Sequence, residues 1–277
     1  MILKNSEGEV RLIWLLLLLV IPFLIAAYLL RYIPIRIQTT ILINQGLSES
    51  TALSQARTTF LEKPIGSSLV GLIQGLLWYP IVCFLIRRVN KKNCDLKSLG
   101  LALGMKKFLL IPLGLILGLV MYFGYFLVGS FFNQGEFVWS PVKLGTTATI
   151  LVSLNFIING LGEETAFRAY WQDRLIHRHG LWIGIILASA SFVLLHLLLY
   201  HFSVEFLVSS ILLACLYGIL YVWTGSIFLV GTMHAVFNLT PQLLQQWPSD
   251  AGIIIVNSIA LALATIIYLW FRERHRL

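Results

Sequence analysis

The sequence predicts an all-α protein, a polytopic membrane helical bundle of about eight transmembrane helices, forming a single membrane domain over residues 1–277. Two observations carry that expectation. Of the 277 residues, 58% are hydrophobic and only 12% charged, with a mean hydropathy of +0.86. A soluble domain carries about a quarter charged residues, and half of that does not cover a soluble surface. The apolar residues also gather in blocks near the length of about 20 that a helix needs to cross a hydrocarbon core. This composition excludes a soluble enzyme on one anchor, and it excludes disorder, which needs low hydrophobicity and high charge. A disulfide-rich secreted domain is excluded too, because the three cysteines, Cys83, Cys94 and Cys215, show no metal or redox spacing.

Eight apolar windows follow along the chain. The first, at 12–30, runs into Arg31 without a small-residue cleavage site, so it reads as a retained helix and not as a signal peptide. The others fall at about 66–86, 108–131, 144–173, 181–200, 204–223, 226–246 and 251–271. The fifth and sixth are so close that they predict a tight antiparallel pair. Within the long outer segment 32–65, the run TALSQARTTFLEK reads as a short interfacial helix capped by Ser50, with Ser48 and Glu49 at its start. No internal repeat and no second domain is visible.

Charge sets the expected orientation. Arg87, Arg88, Lys91, Lys92, Lys97, Lys106 and Lys107 form the densest basic segment, which the positive-inside rule places in the cytoplasm. Eight spans then put the N- and C-termini on the same side, with Lys4, Arg11, Arg174, Arg178, Arg272, Arg274 and Arg276. The outer side keeps Arg31, Arg36, Arg57, Lys63 and Lys143. The net charge of +8 is thereby explained by topology, with membrane lipid as partner and no nucleic acid.

Ionisable residues inside spans are costly and mark function. They concentrate in three places. In the fourth span, Asn155, Asn159 and Glu163 share a helix face at i, i+4, i+8, while Glu164 and Arg168 have the i, i+4 spacing of an ion pair. In the fifth, Phe192 and His196 are one turn apart, with Ser189 a further turn back. In the seventh, His234 and Asn238 are again i, i+4. With about 1.5 Å rise per residue from the cytoplasmic boundaries, Glu163 lies about 17–22 Å deep, His196 about 24 Å, His234 about 14 Å and Asn238 about 20 Å. All four fall in the middle layer of a core about 30 Å thick. Spacing does not show that they face one another.

A carboxylate, two imidazoles and an amide make a hydrolytic set. A buried carboxylate with no counter-charge is basic enough to take a proton from a water oriented by a histidine, and the remaining donors suit an oxyanion. Such a site must admit water. The G-x-S-x-G nucleophile turn and the H-E-x-x-H zinc helix are both absent, which favours direct attack by water. A His/His/Glu zinc site assembled from three helices remains open by ligand type.

The segments E-E-T-A-F-R at 163–168, F-V-L-L-H at 192–196 and H-A-V-F-N at 234–238, in that order on separate spans, resemble the E-E-x-x-x-R, F-x-x-x-H and H-x-x-x-N/B motifs of a known family. This is the CAAX-protease and bacteriocin-processing (CPBP or Abi) family, which includes type II CAAX prenyl endopeptidases described as glutamic intramembrane proteases. The resemblance covers a motif-bearing core at about 144–246. It implies that Glu163 is the general base, assisted by His196, that His234 and Asn238 form the oxyanion site, and that Glu164, Arg168 and Phe192 support them structurally. The implied activity is an intramembrane endopeptidase acting on a membrane-associated protein or peptide, CAAX-prenylated in the eukaryotic members. No cofactor is expected: zinc is compatible but not favoured, because the oxyanion role gives Asn238 a use that a zinc site does not require. The alternatives are a non-proteolytic bacteriocin-immunity or scaffold protein, and a proton-coupled transporter.

Overall fold

The structure, a computed structural model, describes residues 12–102, 104–132, 137–197 and 203–275. Lys4, Arg11 and Arg276 of the charge count, and the end of the fifth expected span at 198–200, lie outside the described residues. Every regular element among the described residues is helical: α1 Leu12–Asn44, α2 Glu49–Arg57, α3 Pro64–Arg88, α4 Met105–Phe108, α5 Leu110–Phe131, α6 Thr146–Glu164, α7 Asp173–His179, α8 Leu181–Leu197, α9 Val204–Thr224, α10 Ile227–Leu244 and α11 Asp250–His275. Two π-helical segments, Thr58–Glu62 and Thr165–Gln172, continue α2 and α6. Helices are the expected solution in lipid, where each backbone polar group must find its partner within its own segment.

Six described helices are long and apolar enough to cross a membrane: α1, α3, α5, α9, α10 and α11. The expected count of eight is therefore not reproduced. The fourth expected span, 144–173, is α6 plus the π segment, and its asparagines and glutamates lower the hydropathy of α6. The fifth, α8, is apolar but has only 17 described residues, about 26 Å at helical rise.

Three further expectations change. Helix α1 does not stop at Arg31 but runs 33 residues to Asn44, about 50 Å of helix. Arg31 and Arg36 lie inside it, and Arg36 Nε donates to the Tyr32 hydroxyl at 2.6 Å. The short helix that follows is capped by Ser48, not Ser50: the Ser48 hydroxyl accepts from the backbone N–H of Thr51. Cys83 on α3 and Cys94 in the basic loop are joined in a disulfide.

The site is positioned by a three-helix layer. Helix α6 packs between α3 and α10, and α10 also lies on α5, while α9 packs on α8 and α11. The α6 contacts are close because glycines face them: a Cβ on Gly160 would stand 2.6 Å from the Gly231 carbonyl on α10, and one on Gly162 would stand 2.5 Å from the Gly75 carbonyl on α3. Backbones that approach this closely need small residues at the crossing. Helix α9 turns into α10 through Gly225, whose φ of +58° is the left-handed cap that favours glycine.

Candidate active site

Asn155 and Asn159 share the Glu163 face of α6, yet they serve packing. The Asn159 amide donates to the Gly71 carbonyl of α3 at 2.8 Å and to Asn155 Oδ1 at 2.7 Å. The chemistry begins one turn later, where α6 widens into the π segment, a feature frequent at functional sites.

Glu164 and Arg168 are fully buried, and Arg168 Nε donates to Glu164 Oε2 at 2.8 Å, the pair that the spacing predicted. The other oxygen has a partner the sequence did not reveal: His234 Nδ1 on α10 donates to Glu164 Oε1 at 3.0 Å. A carboxylate paired with arginine only accepts, so the Nδ1 proton points at Glu164.

Glu163, the adjacent residue, turns to other partners. Its Oε2 lies 3.8 Å from His196 Nε2 and 3.7 Å from His234 Nε2, and this buried oxygen has no hydrogen bond among the described residues. Both separations exceed a direct hydrogen bond and suit a bridging water. His196 Nδ1 lies 2.9 Å from the Phe192 carbonyl. A carbonyl only accepts, so Nδ1 carries that proton, and the ring turns its Nε2 edge towards Glu163. The side chains of Glu163 and His196 are 17% and 20% exposed, against 7% for His234. The site is therefore reached from the Glu163 and His196 side and backed by His234 and Glu164.

Phe192 holds this arrangement as a shared wall. Its ring lies 4.3 Å from the His196 ring, meets the His234 ring edge-on at 5.8 Å and the Phe167 ring at 5.2 Å, and carries the Arg168 guanidinium at 5.4 Å. Tyr217 of α9 covers the other side of His234 at 5.8 Å between centroids. The structure thus brings together Glu163, Glu164, Arg168, Phe192, His196 and His234. Asn238 is not part of that bonded set; it is half-buried, one turn beyond His234 on α10, about 6 Å along the axis.

Residues 145–240 match the family model described as type II CAAX prenyl endopeptidase Rce1-like. The Rce1-like segment covers less than half of the chain, from the start of α6 to near the end of α10, and it contains every residue of the site. It implies a protease, that is, a hydrolase, and with the six apolar helices it supports an integral membrane protein. No curated protein matches the chain. Within the Rce1-like segment, sequence reasoning missed Tyr217 and Gln172. Gln172 carried a readable signal, since it continues the i, i+4 series of Glu164 and Arg168. Among the described residues, no group of three or more His, Cys, Asp or Glu side chains is arranged to hold a metal ion.

Proposed function

We propose that the protein is an intramembrane endopeptidase that cleaves a peptide bond of a membrane-associated protein or peptide with water activated by Glu163 and His196. The observation that carries this reading is the Glu163 oxygen flanked by the Nε2 atoms of His196 and His234 inside a segment matching a protease family. A water between Glu163 and His196 loses a proton to the carboxylate and attacks the scissile carbonyl carbon. The carbonyl oxygen becomes an oxyanion and accepts hydrogen bonds from His234 Nε2–H and the Asn238 amide. Glu163 then gives its proton to the departing nitrogen, which restores the carboxylate.

The charges fit these roles. Glu164 and Arg168 neutralise each other. His234 already donates its Nδ1 proton to Glu164, so it donates from Nε2 as well only when the ring is an imidazolium. The Glu163 carboxylate at 3.7 Å supplies the opposing charge for that state. The proposed steps use no metal, because the oxyanion role accounts for Asn238; activity that survives exhaustive chelation in zinc-free protein is the expected result. The substrate class proposed is a lipid-anchored or membrane-embedded peptide, CAAX-prenylated proteins included, reached from a membrane whose cytoplasmic face bears both termini.

The test is a comparison of membrane-peptide termini from cells expressing the wild type and Glu163→Gln. Termini that vanish with Glu163→Gln and His196→Ala, with rates down by about 10²–10⁴-fold, are expected for loss of the base. Wild-type cleavage by both variants sinks the assignment. A scaffold or immunity protein would instead keep its phenotype in Glu163→Gln.

A further inference from the structure

Buried behind the site is a line of hydrogen bonds that ends on a residue with no role so far. Gln172 is the last residue of the π segment and is fully buried. Its Nε2 donates to the Gly218 carbonyl of α9 at 3.0 Å. Its Oε1 accepts from Arg168 Nη1 at 3.5 Å. Arg168 Nε then holds Glu164 Oε2, and Glu164 Oε1 holds His234 Nδ1. One continuous line thus runs from the backbone of α9 to the imidazole on α10.

The two ends of this amide fix each other. A carbonyl only accepts and a guanidinium only donates, so Gly218 takes the NH2 end of Gln172 and Arg168 takes the oxygen. Turning the amide over would set donor against donor and acceptor against acceptor. Gly218 is the residue that permits this approach, because a Cβ there would lie 2.7 Å from Gln172 Oε1. Arg168 is held through Nε on one side and Nη1 on the other, and that sets the carboxylate plane of Glu164. Without Gln172, the guanidinium keeps only its bond to Glu164 and its contact with the Phe192 ring.

We propose that Gln172 is a positioning residue of the active site: anchored on the Gly218 carbonyl, it orients Arg168 and Glu164 so that His234 keeps its Nδ1–H on Glu164 and aims Nε2–H at the reacting oxygen when the ring is an imidazolium. The catalytic part of this inference rests on the protease reading; the part concerning the His234 state does not. The logic is that of an imidazole held in its working orientation by a third group, where loss of that group leaves the shape and removes the rate. Packing alone would make Gln172 a tie between the π segment and α9, with no effect on His234.

The experiment uses the full chain in lipid nanodiscs with 15N-labelled histidine, the His234 signals being assigned by their loss in His234→Gln. The wild type should show one His234 state, with Nδ1 protonated and bonded to Glu164. Gln172→Leu removes both amide bonds, and Gly218→Ala displaces the glutamine while keeping it. Both should show a second His234 state and, on a cleaved peptide, a kcat lower by at least about tenfold with KM within about twofold, the pattern of a lost transition-state contact. An unchanged His234 spectrum in both folded variants overturns the proposal. So does a changed spectrum with unchanged kcat, and so does failure of both variants to fold, which would make Gln172 a structural tie. Cleavage that survives Glu163→Gln overturns the assignment of Glu163 as the base instead and leaves the spectral result standing on its own.

Discussion

Glu163 and Glu164 are neighbours in sequence with different surroundings. Glu164 is enclosed and bonded on both oxygens, whereas Glu163 is partly open and has an unpartnered oxygen between two imidazoles. Their substitutions should separate cleanly. Arg168→Leu strands Glu164 as a buried charge and should cost about 3–5 kcal/mol of stability. Glu163→Gln removes a partly exposed charge and should leave stability within about 1 kcal/mol while stopping cleavage. Thermal unfolding in detergent beside a cleavage assay checks both; equal destabilisation by the two variants would contradict the division of roles. Phe192→Ala opens the wall shared by both imidazoles and should cost about 3–5 kcal/mol, whereas Phe192→Leu should keep most of that stability and lose rate. The Glu164–Arg168 pair was legible in the sequence because helical period fixes i, i+4 neighbours. The His234 bond to Glu164 was not, since it joins residues 70 positions apart.

Helix α6 is the element on which the site depends, and its glycines set how near α3 and α10 come. Gly160→Val would push the α10 backbone away at the Gly231 crossing, one turn from His234. The expected outcome is a loss of about 1–3 kcal/mol from overpacking, together with lost activity, read by unfolding and by the His234 state. Gly145→Ala, at a position with open space around its Cβ, should change neither and serves as the control. The sequence located this element as a span but not its three parts. Its polar residues reduce the apolar length, and the π turn at Thr165–Gln172 answers to the buried partners of Arg168 and Gln172. Asn155 and Asn159 shared a face with Glu163 as expected, yet the nearness of Gly71 turned them to helix packing.

For the whole molecule, two markers of sidedness disagree. The basic loop after α3 argues for a cytoplasmic end, whereas a Cys83–Cys94 disulfide in the same region argues for an oxidising compartment. The charge bias is the stronger marker, because seven basic residues act together during insertion while one bond answers to the redox state afterwards. The prediction is that Cys83 and Cys94 are thiols in intact cells and take up a membrane-permeant maleimide but not an impermeant one. Labelling by the impermeant reagent, or protection until reduction, would invert the topology.

The sequence by itself determined the helical membrane class, the positions of most helices to within a few residues, the i, i+4 pairs and the three segments that bear the chemistry. Lipid forces backbone hydrogen bonds to close within each helix, and a fixed helical period then sets which residues share a face. The tertiary structure alone decided that Glu163 meets both histidines, that Glu164 reaches His234, that Gln172 rests on Gly218 and that Cys83 finds Cys94. Those contacts depend on how each helix is rotated about its own axis and how closely it meets a helix distant in the chain. Glycine crossings and buried polar partners set both, and no local pattern records them.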